Sequence, residues 1–223
     1  MNRLWCALPA DERARLEPAM RRLELPAGHL LTRPGELLEW VCFPESGVVS
    51  VVCRLPDQPP VGLATIGNRG VVGIEAVLGL RPVAFESSVL IAGGFACLPL
   101  AALDSEPLRA AMIRYAHALF VEIGQLSACA RLHPIERRLA TWLLTASDRF
   151  DGGQLRLTQE QIARTLAVRR ASVNAVALML QRAGLITYTR GVIRFLDRSG
   201  LEAVACSCYE VVREATDRAV GSS

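Results

Sequence analysis

No lysine occurs among the 223 residues; all 25 basic side chains are arginine. A biased genome accounts for that choice but leaves the placing of the arginines to be explained. Histidine is almost as scarce, at positions 29, 117 and 133. A metalloenzyme barrel needs two or three clustered histidines with a carboxylate, so that class is excluded. Neither a phosphate loop, a nucleophile elbow nor a paired-acid motif appears, and no enzyme activity is expected. Long apolar runs are missing too. The longest uncharged stretch, Ser87 to Leu103, is broken by Gly93, Gly94 and Pro99, and falls short of the roughly 20 residues of a spanning helix. The opening "MNRLWCALPADER" has no apolar run of signal-peptide length and reaches Asp11 early. A cytoplasmic chain with no membrane partner is expected.

Seven cysteines, at 6, 42, 53, 97, 129, 206 and 208, are an odd, dispersed set. They make a poor disulfide framework and read as mostly buried, reduced core residues. The four in the N-terminal half form no close pair, which speaks against an iron–sulfur cluster. Cys206 and Cys208 form C-x-C without a third and fourth ligand beside them, and His117 stands alone on a helix. No metal and no cofactor is expected.

Charge is concentrated. The net formal charge is only +3, but residues 131–198 hold twelve arginines against five acids, while the flanking segments are each slightly acidic. A basic block of this kind points to a polyanion. Residues 1–24 read as a helical lead-in. Three β-branched runs follow, "GVVSVVCRL" (47–55), "VGLATIG" (61–67) and "SSVLIAGGFACL" (87–98). Glycine turns punctuate them, with "DQPP" (57–60) as a hairpin tip, and the pattern predicts an antiparallel sandwich or barrel.

Ser105 caps a helix predicted to run to Leu132. It carries two apolar stripes. One is Leu108, Met112, Tyr115, Leu119, Leu126 and Cys129; the other is Ile113, Ala116, Phe120, Ile123, Ser127 and Ala130. One stripe is expected to cover the β domain and the other to form a seam with a second chain. Leu108, Met112, Tyr115, Leu119, Phe120, Ile123 and Leu126 are the candidate dimerisation residues. Glu122 interrupts the first stripe, which implies partial solvation there. His133-Pro134 ends the helix, and a second amphipathic helix covers 135–150. The division expected is therefore 1–104, the β domain with its helical lead-in; 105–132, the long helix with its seam; and 133–223, the domain that holds the basic block.

"LTQEQIARTLAVRRASVNAVALMLQRAGLI" (157–186) carries the function. Thr158 with Gln161 is a capping box, Ala167-Val168 a tight turn, and Gly184 the stop of a second helix. Two helices so joined, followed by an alternating hairpin around Arg190-Gly191, describe a helix-turn-helix with a wing. Arg169 and Arg170 at a helix start oppose its dipole by a few tenths of a kcal/mol each, which makes sense where an external phosphate is awaited. Candidate DNA contacts are Thr158, Gln159, Arg169, Arg170, Ser172, Asn174 and Arg190. Arginine suits a guanine edge and asparagine adenine, whereas Ser172, Thr158 and Gln159 suit phosphates.

With "CARLHPIERRLATWLL" and "GNRGVVGIEAVLG", this stretch resembles transcription regulators of the Crp/Fnr type over essentially the whole chain. The resemblance implies an α+β fold with an antiparallel, jelly-roll-like β-roll, a long dimerisation helix and a winged helix-turn-helix. It implies a homodimer on two-fold symmetric double-stranded DNA. It places Arg170, Ala171 and Ala175 where bases are often touched; two of these are alanine, so the half-site differs from that of the catabolite activator type. Where cyclic-nucleotide-binding relatives have a phosphate arginine, this chain offers Glu86, Ser87 and Ser88, with Glu75 upstream and Arg81 elsewhere. A cyclic nucleotide is therefore not expected, and any small-molecule effector stays unidentified. The alternative is a small-molecule receptor whose DNA binding is weak or effector-dependent.

Overall fold

The computed structural model describes residues 1–79 and 82–221. Two short helices, α1 (Arg3–Cys6) and α2 (Ala10–Leu16), precede β1 (Arg21–Leu25), β2 (Leu30–Thr32), β3 (Trp40–Pro44), β4 (Val48–Cys53), β5 (Val61–Ile66), β6 (Glu86–Ile91) and β7 (Gly93–Pro99). The helix α3 (Glu106–Leu132) then leads into α4 (Ile135–Asp148), β8 (Leu155–Arg156), α5 (Gln159–Leu166), α6 (Arg170–Arg182), β9 (Ile186–Thr189), β10 (Val192–Phe195), α7 (Arg198–Val204) and α8 (Cys208–Val220). No helix of the described residues is long and apolar enough to cross a membrane.

The seven N-terminal strands form two antiparallel sheets, ordered β1-β7-β3 and β2-β6-β4-β5. Burial between two sheets explains their β-branched runs. The lead-in is shorter than expected: Arg21–Leu25 is a strand, because the open edge of β7 pairs with it from Arg21 opposite Cys97 to Leu25 opposite Gly93. The run 87–98 is two strands, β6 and β7, which lie in different sheets. Register also places Cys42 opposite Cys97. The two are disulfide-bonded, which corrects the expectation that the N-terminal half has no close cysteine pair.

Ser105 caps α3, its hydroxyl accepting from the Leu108 N–H. The first apolar stripe is absorbed by the chain itself. Leu108, Met112, Tyr115 and Leu119 are buried in the β-roll core, which removes them from a seam with another chain and corrects their candidate role. Phe120 is 77% exposed, and Ile123 and Leu126 are half-buried. The C-terminal helix α8 lies along α3, and its Ala219 and Val220 belong to the β-roll core. Its Tyr209 packs in the second core and donates from its hydroxyl to Asp148 at the end of α4 at 2.8 Å, so α8 bridges the roll and the segment that follows α3. The second core, built by α4 to α7 and the small β8-β10-β9 sheet, includes Val48, Leu90 and Ile91 of the roll.

Glu122 is not solvated. Its carboxylate accepts two hydrogen bonds from Arg149, from Nη1 at 2.7 Å and Nη2 at 2.8 Å. Their side chains are only 3% and 5% exposed. Arg149 also donates to the carbonyl and, at 2.7 Å, to the hydroxyl of Thr65 in β5. The Thr65 N–H donates to Glu122 at 3.3 Å. Burial works against the Arg149 charge, but Glu122 outweighs it and the guanidinium is held more firmly protonated than usual. The neighbouring "GNRG" turn fits around this joint. A Cβ on Gly67 would stand 2.2 Å from the Arg149 carbonyl oxygen, and one on Gly70 2.2 Å from the Tyr115 hydroxyl.

Removing one partner leaves a buried, unpaired charge. Arg149→Leu is expected to lower unfolding stability by about 3–5 kcal/mol, and adding Glu122→Leu to recover most of that loss. Urea denaturation of the single and double variants checks this. Equal losses in both would mean that the pair does not act as a unit.

Candidate nucleic-acid interface

The capping box is formed as expected. Thr158 accepts from the Gln161 N–H at 3.2 Å, and the Gln161 side chain accepts from the Thr158 N–H at 2.8 Å. Ile162, Ala163 and Leu166 of α5 turn inward and share a core with Val173, Val176 and Leu180 of α6, whose Ala177 is also buried. Arg138 of α4 donates to the Leu166 carbonyl at 2.5 Å and satisfies the end of α5. Ala167, in the turn between α5 and α6, has φ 51° in the left-handed region, which favours glycine.

The outer side of α6 presents Arg170, Ala171, Asn174, Ala175, Leu178 and Met179, all exposed. Arg169 is the N-cap residue, with no side-chain capping bond. Its helix has no acid in the first turn. Among the described residues neither Arg169 nor Arg170 is in an ion pair, in contrast to Arg164, which bonds Glu160 at 3.1 Å. Four positive peptide N–H ends and two guanidiniums thus face outward together. Ser172 is half-buried one turn along. Gln159 donates from Nε2 to Asn174 Oδ1 at 3.0 Å, which ties the start of α5 to the exposed face of α6. This bond was not visible in the sequence, because it joins residues 15 positions apart.

The wing is the β9–β10 hairpin. Arg190 and Gly191 have φ 49° and 78° at its tip, the pair of left-handed residues that a two-residue hairpin turn requires. Tyr188 anchors it, donating from its hydroxyl to the Leu157 carbonyl at 2.7 Å. Burial pushes that hydroxyl up to about 12, with Arg170 acting in the opposite sense. Thr158, Gln159, Arg169, Arg170, Ser172, Asn174 and Arg190 thus all belong to one winged helix-turn-helix.

The β-roll holds a groove of about 750 Å³ lined by Leu25, His29, Leu31, Trp40, Val72 and Val83 among others. Glu86 bonds Arg54 at 2.5 and 2.8 Å; Glu75 sits in a short 3₁₀ turn. Arg81 lies outside the described residues. Outside the lining of this groove, folding brings Cys129 and His133 beside Cys206 and Cys208. That corrects the expectation that the C-x-C pair lacks further ligands.

A family model described as a Crp-like helix-turn-helix domain matches residues 137–204. No curated protein matches the sequence. Among solved structures, a transcriptional regulator of the CRP family from Thermus thermophilus is 24% identical, with a TM-score of 0.69, covering 83% of this chain and 96% of that one. FixK2 from Bradyrhizobium japonicum is 15% identical, with a TM-score of 0.73 and coverages of 84% and 98%. The c-di-GMP responsive global regulator CLP of Xanthomonas campestris is 18% identical, with a TM-score of 0.63 and coverages of 84% and 99%.

A left-handed alanine costs about 1 kcal/mol or more. Ala167→Gly is therefore expected to raise unfolding stability by roughly 0.5–1 kcal/mol, after the greater chain entropy of glycine is deducted. A thermal or urea midpoint that falls instead would refute the assignment of strain to this turn.

Proposed function

We propose that the chain is a transcription regulator of the Crp/Fnr type that acts in the cytoplasm as a homodimer on two-fold symmetric double-stranded DNA; the Crp-like helix-turn-helix match over residues 137–204 and the shared fold support this reading. The observation that carries this reading is the outward Arg169-Arg170 start of α6, which has no ion-pair partner among the described residues. Residues 1–104 serve as the sensor-like part, α3 as the dimerisation element, and the segment from 133 as the DNA reader.

In this reading α6 enters the major groove, and its twofold mate enters the next about 34 Å away. Arg170 and Asn174 face base edges, the arginine suited to guanine and the asparagine to adenine. Arg169, Ser172 and Thr158 hold phosphates, and Arg190 reaches the backbone from the wing. The Gln159–Asn174 bond orients the asparagine amide and leaves Gln159 a smaller share in phosphate binding than the sequence implied. The seam is the second stripe of α3, centred on exposed Phe120 and Ile113 and continued by half-buried Ile123, with Leu126 of the first stripe beside it. Exposed apolar side chains at helical spacing need such a cover. Alanine at 171 and 175 offers apolar contact alone, for instance to a thymine methyl.

A second reading is favoured by the groove of the β-roll, whose walls suit a largely apolar small molecule. DNA binding would then depend on that effector. It is the reading to adopt if ligand-free, folded dimer binds no operator.

Arg170→Ala is expected to cost about 1–3 kcal/mol in operator affinity and relax preference at one base pair per half-site. Arg169→Ala is expected to weaken all sequences alike and flatten the salt dependence by about 0.9 per lost phosphate contact. Competition binding at several salt concentrations separates the two, and parallel losses would overturn the division. Phe120→Glu is expected to weaken the dimer at least about 100-fold, given the cost of burying an unpaired charge. Sedimentation at graded concentrations checks this; an unchanged dimer would move the seam elsewhere.

A further inference from the structure

Among the described residues a third, small cluster of buried side chains is made of cysteine alone: Cys129, Cys206 and Cys208. His133 joins it. The ligand atoms of these four residues all lie within 4.8 Å of one another. Cys129 Sγ stands 3.5 Å from Cys206 Sγ, and His133 Nδ1 stands 3.4 Å from Cys129 Sγ and 3.5 Å from Cys208 Sγ. For comparison, zinc–sulfur bonds of about 2.3 Å set tetrahedral edges of about 3.8 Å. The four atoms are therefore spaced for a single ion at their centre.

We infer that Cys129, His133, Cys206 and Cys208 form a structural zinc site that clamps the joint between the long helix and the DNA-reading unit. Cys129 and His133 are four residues apart at the end of α3, His133 being its C-cap, so both project from one face. Cys206 and Cys208 flank Ser207, which opens α8 after the end of α7. Three thiolates and one imidazole make a closed Cys₃His shell. Hard cations would demand oxygens, and a tetrahedral sulfur-rich set selects zinc.

The surroundings are those of metal-bound sulfur. The Thr141 hydroxyl accepts from the Cys206 N–H at 3.0 Å, which leaves its proton for Cys206 Sγ at 3.1 Å. Gln125 donates from Nε2 to Cys208 Sγ at 3.2 Å. Outer donors of this sort fix ligating thiolates. Ordinary core packing supplies no reason for this composition: among the described residues the other two cores are mostly leucine, valine, isoleucine and alanine, and the cysteines in them, Cys42 and Cys97, are disulfide-bonded. An ion here joins α3, the α7–α8 corner and, through Thr141, α4. It fixes the angle at His133-Pro134.

The test is elemental analysis of the untagged full chain, purified without added metal or chelator. About one zinc per chain is expected, falling below about a tenth in Cys129→Ser and in Cys206→Ser. His133→Cys should retain it, since four thiolates also close a zinc shell. Cys6→Ser, at an exposed cysteine remote from the cluster, should match the parent. Cobalt(II) added to chelator-stripped protein should give a tetrahedral thiolate spectrum that saturates near one equivalent. Stripping should lower the thermal midpoint, and zinc should restore it. Parent protein with less than about a tenth of a zinc per chain would overturn the inference, as would zinc retained in both serine variants. So would a Cys129–Cys206 disulfide found by peptide mapping, which would assign the pair to thiol redox chemistry instead.

Discussion

The bidentate pair between Arg149 and Glu122 holds the molecule's three parts in register. Glu122 lies on α3, Arg149 at the end of α4, and Thr65 on β5 of the roll. Each ion loses several kcal/mol of hydration on burial, and their attraction only roughly repays it. The pair is thus better understood as a device for geometry than for stability. Its donors and acceptors are matched by Thr65, so neither charge can leave without stranding the other. The close approach of Gly67 to the Arg149 backbone, and of Gly70 to Tyr115, follows from the same docking.

That frame explains why so much of the chain's apolar surface is spent internally. The stripe led by Leu108 and Met112 lies on the β-roll, which leaves Ile113 and Phe120 of the other stripe exposed. Val48, Leu90 and Ile91 of the roll are shared with the core of α4 to α7. The reading head is therefore not an independent bead on a flexible linker. Against this rigid background, the charge conflict at the start of α6 is small, a few tenths of a kcal/mol per arginine. It is tolerable in the free protein, and the phosphate contact proposed above would relieve it.

Local rules carried the sequence reading far. The Ser105 cap, the Thr158–Gln161 box, the Arg190-Gly191 turn and the inward residues of α5 and α6 are decided within a few positions, and each stands where its chemistry requires. What the sequence hid was set by distant pairing. Glu122 reads as a solvated interruption until Arg149, 27 positions away, is brought to it. Cys42 and Cys97 lie 55 positions apart yet face each other across β3 and β7. Cys129 and Cys206 meet across 77 positions, which no spacing rule anticipates. The lead-in failed for a related reason: "RRLEL" fits a helix or a strand, and the free edge of β7 decided it.

The central claim is that two copies present their α6 faces to successive major grooves. Selection of bound duplexes from a random pool tests it most directly, with purified ligand-free protein at about 0.15 M salt, where non-specific binding is weakened. The account expects enrichment of an inverted repeat whose half-sites are centred about one helical turn apart. Enrichment of a single, unrepeated half-site, or of no motif by a folded dimer, would contradict it.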